Sequence, residues 1–403
     1  MDITNPIYGT IKLDEVQEQL IDTPEMQRMK HINQLALVYH VFPSANHTRF
    51  VHALGVSYTA GKIADQLRLS QAEKTIVEVA GLLHDIGHLP YSHTLDSLLN
   101  EGHETLTKQK IEGGNIEKIL YKHRINPKTI GDLVTKNYHE LNCLQQIIFS
   151  EIDADQLDYL QHDSFFTGVK AGVIDYYRII DVMENVNGKI CFKEKGINAI
   201  ENMIAARRSM YKNVYMHRAV RAAEAMMVKA VEIYMKLNKA SLDDFVNLTD
   251  GELVAKLQKS NEFTEELVNR VVTNRELYKI AYEVKSRELS AETKKIFAGI
   301  YKENPGNIEK ELCKRCKLDE QHIVVEMPAF QLKRYDTRLK TLDISILMED
   351  GSIKNIYELS PVAKTLGQEE YSNSALMIFC AKEKREAVGA AAKEYIDELV
   401  KKI

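Results

Sequence analysis

Histidine and carboxylate residues in the N-terminal part of the chain have the types and spacing of a metal-binding site. His84 and Asp85 are adjacent at the end of an apolar run in VAGLLHDIGHLPYSHTLD, residues 79–96. His52 lies upstream in RFVHALG, and a carboxylate cluster follows in SEIDADQLDYL, residues 150–160. Imidazole nitrogens and carboxylate oxygens together suit a hydrolytic divalent ion, whereas structural zinc sites are usually rich in sulfur.

The position of Asp85 favours the metal interpretation over a simpler one. The simpler interpretation is that His84 and Asp85 only cap the end of a helix, because this doublet occurs by chance in many helices. However, Asp85 follows the apolar residues AGLL, where an ionised carboxylate is costly unless a cation neutralises it. Asp153 and Asp155 are both candidates for a further ligand, and their spacing does not separate them.

More histidines follow the doublet within twenty residues. Singly, a histidine such as His93 or His103 is more often a surface or core residue than a catalyst. Together, beside a metal-binding doublet, these two favour proton transfer in catalysis. His88 lies one helical turn after His84.

Composition is that of an ordinary globular protein. The 403 residues allow two or three domains, with 44% hydrophobic and 28% charged residues. No apolar stretch approaches the roughly 18–20 residues of a membrane span, and the N-terminus lacks signal-peptide features, so we expect a cytoplasmic protein. Five scattered cysteines agree with this, and Cys313 and Cys316 are interpreted as incidental helix residues. The net charge of −5 argues against bulk affinity for nucleic acid.

The elements that must position these residues are mostly helical. The sequence predicts helices from Pro24, over 49–67, and from Ser70 to a point before Pro90. Residues 141–166 and 197–237 each look like one long amphipathic helix.

The character changes towards the C-terminus. A small hairpin is predicted at 188–196, strands at 322–328, 341–348 and 375–381, and a hairpin turn at 349–352. A helix ends the chain. The predicted fold class is mainly α: a helical core domain over 1–290, followed by a small α+β lobe over 291–403.

These motifs resemble the HD-domain superfamily of phosphohydrolases. RFVHALGV, AGLLHDIGHLPYSH and EIDADQLDYL are similar to the branch that contains the dGTP triphosphohydrolases and the sterile-alpha-motif/HD dNTPase. The similarity begins at IDTPEMQRMKHINQL and VFPSANHTRF and continues weakly to the last helix, so it covers nearly the whole chain. It implies water attack on the α-phosphorus of a deoxynucleoside triphosphate, which releases a nucleoside and tripolyphosphate.

The resemblance also implies roles for individual residues. The implied metal ligands are His52, His84, Asp85 and Asp155. The implied catalytic group is His93, Asp96 and His103. The implied substrate-binding residues are Gln34, Arg49, His88, Asp153, Tyr159, Asp163, Arg207, Tyr211 and Tyr215, with Arg49 and Arg207 on the phosphates. Gln156 stands where the sterile-alpha-motif/HD enzyme has lysine, which removes a charge near the phosphates.

A regulatory nucleotide site is a further expectation from the resemblance. Its residues would be Asp22, Gln27, Lys30 and Arg178, although such residue types equally suit a solvated surface. We expect one transition-metal ion (Fe, Mn, Ni or Zn), Mg²⁺ with the nucleotide, and a homo-oligomer, either a dimer or a tetramer. The alternatives are an HD phosphohydrolase acting on nucleoside mono- or diphosphates or another phosphate ester, and a non-catalytic nucleotide-binding regulator.

Overall fold

The computed structural model describes residues 1–96, 98–99, 102–135, 142–303, 305–329, 343–368 and 374–401. These residues are mainly helical and form three small sheets, which confirms the predicted fold class. None of the described helices combines the length and apolar character needed to span a bilayer.

The chain divides into two compact units. The first comprises Met1–Met210, Phe245–Asp250 and the described residues between 340 and 369. The second comprises Tyr211–Asp244 and the described residues of 251–339 and 370–403. Both units therefore contain segments distant in sequence. The expected domain boundary at residue 290 stays a prediction, since a compact unit is not by itself an independently folding domain.

The described secondary structure is as follows. The α-helices are α1 (Glu15–Ile21), α2 (Pro24–Arg28), α3 (Arg49–Gln66), α4 (Gln71–Leu83), α5 (His93–Asp96), α6 (His103–Ile111), α7 (Gly114–Lys122), α8 (Pro127–Val134), α9 (Cys143–Ile148), α10 (Ala154–Thr167), α11 (Tyr176–Asp181), α12 (Ile197–Met210), α13 (Arg218–Asn238), α14 (Asp250–Gln258), α15 (Glu262–Val268), α16 (Ala291–Glu303), α17 (Gly306–Cys316), α18 (Ile356–Leu359), α19 (Pro361–Gln368) and α20 (Arg385–Lys401). The strands are β1 (Asp2–Asn5), β2 (Gly9–Lys12), β3 (Met183–Val186), β4 (Lys189–Lys193), β5 (Lys279–Lys285), β6 (Ile323–Glu326), β7 (Ser345–Leu347), β8 (Ile353–Asn355) and β9 (Ser374–Cys380).

Helices α3 and α4 pack closely in the first unit. Helix α4 starts with the predicted capping box: the Ser70 N–H donates to Glu73 Oε2 (2.8 Å), and the Glu73 N–H donates to Ser70 Oγ (3.3 Å). Gly81 lets the helices approach, because a Cβ there would lie 3.1 Å from the Val56 carbonyl oxygen. This contact brings the first turn of α3 close to the end of α4.

The two long helices predicted at 141–166 and 197–237 are wrong in their continuity. Helix α9 ends at Ile148, and a new helix begins at Ala154 because Asp153 caps it: its carboxylate accepts from the Gln156 N–H at 2.8 Å. Helix α12 ends at Met210, and a π-helical turn over Tyr211–Tyr215 separates it from α13. Apolar periodicity continues across both breaks, so it could not reveal them.

The strands predicted near the C-terminus and the hairpin turn at 349–352 are confirmed. The small hairpin predicted at 188–196 is wrong in its bounds: it spans Met183–Lys193, where β3 pairs with β4 through a turn with positive φ at Asn187 and Gly188 (+54° and +83°), and 194–196 form a 3-10 turn. Strands β1 and β2 form a further hairpin at the N-terminus. The strands of the C-terminal part do not share one sheet. In the first unit, the strand order is β3-β4-β7-β8; in the second, it is β5-β9-β6, with β9 central.

The second unit has its own apolar core. Strand β9 is buried along its whole length, and α16, α17 and α20 contribute Phe297, Leu312 and Val388 to the same cluster. Cys313 and Cys316 lie in α17 as free cysteines, which agrees with their interpretation as incidental helix residues.

Glu78 on α4 gives the first unit a predictable pH dependence. Burial raises the pKa of its carboxyl to about 7, opposed by Lys74 and supported by Asp14 and Asp65. Because the folded state holds this proton more tightly, stability contributed by the protonated carboxyl is lost as pH rises through about 7. We expect Glu78→Gln to stabilise the protein by on the order of 1–3 kcal/mol at pH 8 and to change little at pH 5.

The midpoint of urea unfolding at the two pH values measures this effect. Glu73→Gln on the same helix is the matched control, because hydrogen bonds from Ser70 lower the pKa of Glu73. The control should show no gain at pH 8. Equal stabilisation by both variants would contradict the role of Glu78.

Candidate metal centre

The contact between α3 and the end of α4 brings three predicted ligands together. His52 lies in the first turn of α3, and His84 and Asp85 directly follow α4. His84 Nε2 is 3.2 Å from Asp85 Oδ1, and His52 Nε2 is 3.7 Å from Asp85 Oδ2. One ligand atom from each of the three residues lies within 4.8 Å of the others, which is compact enough for a single ion.

The first turn of α10 supplies the fourth predicted ligand. Asp155 Oδ1 lies 3.2 Å from His52 Nε2, and the Asp155 side chain is 24% exposed. Asp153, which the sequence could not separate from Asp155, uses its carboxylate otherwise. Its two oxygens accept from the backbone N–H groups of Ser150 (3.0 Å) and Gln156 (2.8 Å). The structure thus places Asp155 at the centre and Asp153 at the helix cap; their roles in binding stay predictions.

The partners of the two histidines fix which nitrogen is available. His52 Nδ1 lies 2.7 Å from Asp158 Oδ2, and His84 Nδ1 lies 2.7 Å from the Gly81 carbonyl oxygen. Both partners only accept, so both Nδ1 atoms carry the proton. The Nε2 atoms of both residues are buried without a hydrogen-bond partner among the described residues. Two such imidazole nitrogens facing one carboxylate fit a metal ion, which would bind them in place of a proton.

Charges around the centre favour a cation. Burial alone would raise the pKa of Asp85, but the Arg49 guanidinium, His84 and His88 outweigh it and hold that pKa well below the ordinary value. Burial alone would lower the pKa of His52, but Asp155 and Asp158 raise it to about 10. Asp85 and Asp158 are therefore ionised. Without a metal, His52 carries a proton on both ring nitrogens, and a bound cation would take the place of the proton on Nε2.

Arg49 is the buried cation of the site. It opens α3, its guanidinium contacts the Asp85 carboxylate, and its Nε donates to Ser92 Oγ. Its Nη2 is buried without a hydrogen-bond partner in the described part of the chain. One donor face of a fixed guanidinium is thus available to an anion such as a phosphate oxygen.

Three histidines form a second cluster beside Asp85. Nitrogen atoms of His88, His93 and His103 lie within 4.8 Å of one another, and the rings of His88 and His103 stack with centroids 3.6 Å apart. His88 Nε2 is 3.3 Å from Asp85 Oδ1. Burial, Arg49 and His103 hold the pKa of His88 well below its ordinary value, so it is neutral. Asp96, also predicted to be catalytic, ends α5, and its side chain lies outside the described structure.

The loop between His88 and His93 has a strained backbone that Asp250 holds in place. Tyr91 and Ser92 have positive φ angles of 55° and 50°. The buried Asp250 carboxylate accepts from the Tyr91 N–H (2.7 Å) and the Asn33 N–H (2.9 Å). Sequence reasoning missed Asp250, because it lies far along the chain and outside every motif.

The remaining predicted substrate residues are distributed over both units. Gln34 is buried and its N–H donates to the His47 carbonyl oxygen (2.9 Å), while His47 Nε2 lies 3.1 Å from Asp163 Oδ1. His47, which the sequence analysis did not single out, therefore joins two predicted substrate residues. In the first unit, Tyr159 on α10 is partly exposed and Arg207 on α12 is buried; in the second unit lie Tyr211 and Tyr215. Their roles stay predictions.

The four predicted effector residues lie at or near the surface of the first unit. Asp22 and Lys30 are exposed, and Lys30 Nζ donates to Gln27 Oε1 at 2.9 Å. Arg178 donates to the Lys195 carbonyl oxygen at 3.0 Å. These contacts are ordinary surface interactions, and the effector role of the four residues stays a prediction.

Comparison with known families places this geometry in context. The HD domain matches residues 49–160, which include all four predicted ligands, and the HD associated region matches residues 174–402. The second match covers more than half of the chain. The chain therefore belongs to the HD-domain proteins that carry the HD associated region.

Relatives and solved structures agree with this assignment. An uncharacterised protein of Methanocaldococcus jannaschii is 32% identical over 406 residues, covering 100% of this chain and 84% of the relative. The deoxynucleoside triphosphate triphosphohydrolase SAMHD1 of Bos taurus is 26% identical over 473 residues, covering 98% and 77%. A crystal structure of a hypothetical Aquifex aeolicus protein has a TM-score of 0.76 and 27% identity, covering 97% of this chain and 99% of that one. A phosphohydrolase from Bacteroides thetaiotaomicron has the same fold (TM-score 0.75, 24% identity, coverage 95% and 99%).

The Asp250 contact predicts a large effect of a distant substitution. Asp250→Ala leaves two buried N–H groups unsatisfied and should destabilise the first unit by on the order of 2–5 kcal/mol. Thermal unfolding measures the loss, and Asp243→Ala, an exposed aspartate nearby in sequence, is the control. If Asp250→Ala has the same melting temperature as the unsubstituted protein, the inferred role of Asp250 is contradicted.

Proposed function

We propose that this chain is a metal-dependent phosphohydrolase that cleaves deoxynucleoside triphosphates to a nucleoside and tripolyphosphate. One observation carries the proposal: a buried guanidinium and two imidazole nitrogens lie against the same carboxylate, each with an atom that has no hydrogen-bond partner among the described residues. A phosphate ester bound beside Asp85 would contact both the metal site and the phosphate-binding guanidinium of Arg49.

The metal would be a divalent transition ion such as Fe, Mn, Ni or Zn, all of which tolerate nitrogen and oxygen ligands. The residues that would hold it are His52, His84, Asp85 and Asp155. When bound there, such an ion polarises a phosphoryl oxygen and lowers the pKa of a water molecule. Asp158 and the Gly81 carbonyl oxygen keep the ligand histidines in the required tautomer.

The remaining residues of the site bind phosphate and move a proton. Arg49 donates to phosphate oxygens from its free face, with Arg207 as a second phosphate-binding cation and His88 as a neutral contact. A water oxygen forms a bond to the α-phosphorus as the bond from that phosphorus to the 5′-oxygen breaks. His93 or His103 protonates the departing 5′-oxygen, with Asp96 orienting the imidazole, and this general-acid help contributes about 10²–10⁴-fold.

Deoxynucleoside triphosphates are the preferred substrate class for two reasons. The SAMHD1 relatives are named for this activity, and the Bos taurus protein aligns with almost the whole chain. Two buried polar side chains of the first unit, Gln34 and Asp163, would bind sugar hydroxyl groups. The other residues proposed to contact the nucleotide are Asp153, Tyr159, Tyr211 and Tyr215.

A second candidate is hydrolysis of a less charged phosphate ester, such as a nucleoside mono- or diphosphate. Gln156 favours it, because this residue follows the metal aspartate and carries no charge. Its side chain is buried and its Nε2 donates to the Ser150 carbonyl oxygen at 3.1 Å. A site with one fewer cation holds a triphosphate less strongly.

Turnover of defined substrates tests the proposal. We expect metal-loaded protein to release tripolyphosphate from deoxynucleoside triphosphates, with ¹⁸O from labelled water in the tripolyphosphate and none in the nucleoside. Phosphorus NMR and mass spectrometry identify the products. Release of orthophosphate from mono- or diphosphates, without tripolyphosphate from any triphosphate, would favour the second candidate.

Asp85→Ala is the matching variant and should lose both turnover and tightly bound metal in elemental analysis. Asp65→Ala is its control, because Asp65 is an exposed α3 residue that pairs with Lys74 (2.8 Å). If Asp85→Ala keeps a full equivalent of metal, the ligand assignment is wrong.

We also propose that the chain forms a dimer or tetramer whose assembly responds to a nucleotide bound at Asp22, Gln27, Lys30 and Arg178. The exposure of Asp22 and Lys30 leaves them accessible to a ligand. A nucleotide shifts assembly only as far as it prefers the oligomer over the single subunit. Sedimentation and initial rates should therefore both change on adding an effector nucleotide and stay constant in Asp22→Ala. If no nucleotide changes either quantity, the effector site does not exist.

A further inference from the structure

The turn of the N-terminal hairpin holds an amide in one orientation. Asn5 ends β1, and its Oδ1 accepts from the backbone N–H groups of Ile7 (2.8 Å) and Tyr8 (3.1 Å). The oxygen of the amide is thus committed to the turn, and the amide nitrogen must point the other way. That nitrogen lies 3.1 Å from His162 Nε2, and Asn5 is buried.

This orientation determines the tautomer of His162. An amide nitrogen can only donate, so His162 Nε2 accepts and its proton sits on Nδ1. His162 is fully buried, and its Nδ1 lies 3.0 Å from Asp158 Oδ1. The Nδ1 atom of His162 is therefore in close contact with the Asp158 carboxylate and is the nitrogen that carries the proton.

Asp158 connects His162 with His52, one of the predicted metal ligands. Its Oδ1 also accepts from the Tyr8 hydroxyl at 2.8 Å, and its Oδ2 lies 2.7 Å from His52 Nδ1. The carboxylate is fully buried and meets donors on both oxygens. Its Oδ2 accepts from His52 Nδ1, so the Nε2 atom is the one that faces Asp85 and Asp155.

Helix α3 leaves room for this chain of contacts at one position. Gly55 follows His52 by about one helical turn, and a Cβ at Gly55 would lie 1.9 Å from Asp158 Oδ1 and 2.9 Å from His162 Cε1. Any larger residue would displace the carboxylate from His52. The space beside Gly55 is therefore filled by the Asp158 carboxylate and the His162 ring.

We propose that Asn5 is a positioning residue for the metal centre: through His162 and Asp158, it fixes the tautomer and orientation of His52. This inference rests on the proposed ligand set. It assigns the N-terminal hairpin, which lies outside the matched HD domain, a role in how tightly the ion is held. Groups that orient a metal ligand in this way typically change metal affinity by about 10–100-fold.

The test uses the full chain loaded with Co²⁺, whose paramagnetism shifts the proton resonances of ligand histidines. The unsubstituted protein should show two exchangeable imidazole N–H signals, from Nδ1 of His52 and of His84. One signal or none would overturn the proposal without any variant. Binding of no Co²⁺ at all would overturn the ligand set and this inference together, whereas metal binding without turnover would affect only the proposed reaction.

Asn5→Asp is the decisive variant, because it keeps the oxygen that accepts from the turn and replaces the amide donor by a carboxylate oxygen, so His162 Nε2 can no longer accept there. We expect the rate of Co²⁺ loss to a chelator to rise about tenfold or more, with a change in the His52 signal and an unchanged His84 signal. Asn126→Asp is the matched control: Asn126 caps α8 through the same oxygen, which accepts from the Lys128 N–H at 3.0 Å, but it is exposed.

A purely structural role of Asn5 makes a different prediction. Thermal stability would fall, but the chelator rate at a temperature where the protein is folded would stay within twofold of the parent, and this result overturns the proposal. His162→Gln provides a second route should Asn5→Asp not fold. It should also speed metal loss and alter the His52 signal, and an unchanged rate in this variant counts equally against the proposal.

Discussion

The structure of the site depends on one constraint: Asp85 is an ionised carboxylate in a buried place. Its burial is unfavourable unless positive charge or donors surround it. Arg49 contacts one oxygen, and His84 and His88 approach the other at 3.2 and 3.3 Å. The Nε2 atoms of His52 and His84 both face this carboxylate and have no hydrogen-bond partner in the described part of the chain. The arrangement is consistent with an ion completing the neutralisation. It also explains why Arg49, a phosphate-binding candidate, is held rigidly rather than left on a mobile side chain.

Two packing features place these groups. The close approach of α3 and α4 at Gly81 sets the separation of His52 from His84 and Asp85. The Asp250 carboxylate bonds the loop on the other side of Asp85, where the backbone of Tyr91 has a left-handed conformation. Strain of this kind costs about 1–3 kcal/mol and persists only where other contacts fix it. Asp250 lies far along the chain but belongs to the first unit, and it thereby helps to shape the site there.

The sequence correctly predicted the elements that depend on local patterns and short motifs. Helix α4 was predictable because its capping box and apolar face are both local, and the strands β6 and β9 because they are apolar runs. The break at Asp153 was not, since a capping carboxylate and a metal-binding one look alike in sequence. The assignment of β7 to a sheet with β4 was equally inaccessible, as it depends on pairing between residues far apart. Asp250 was missed for the same reason.

The centre has an enclosed side and an accessible side, and this asymmetry bears on how a substrate reaches it. The side chains of His52 and Asp158 are almost completely buried, whereas Asp155 is 24% and His103 17% exposed. His93 is exposed as well. On the function proposed above, a phosphate ester would approach past Asp155, His93 and His103. The contacts around His52 and Asp158 on the enclosed side would orient a metal ligand, which needs no access to solvent. The groups proposed to bind substrate and transfer protons are thus exposed in part, and those proposed to orient the metal ligand are buried.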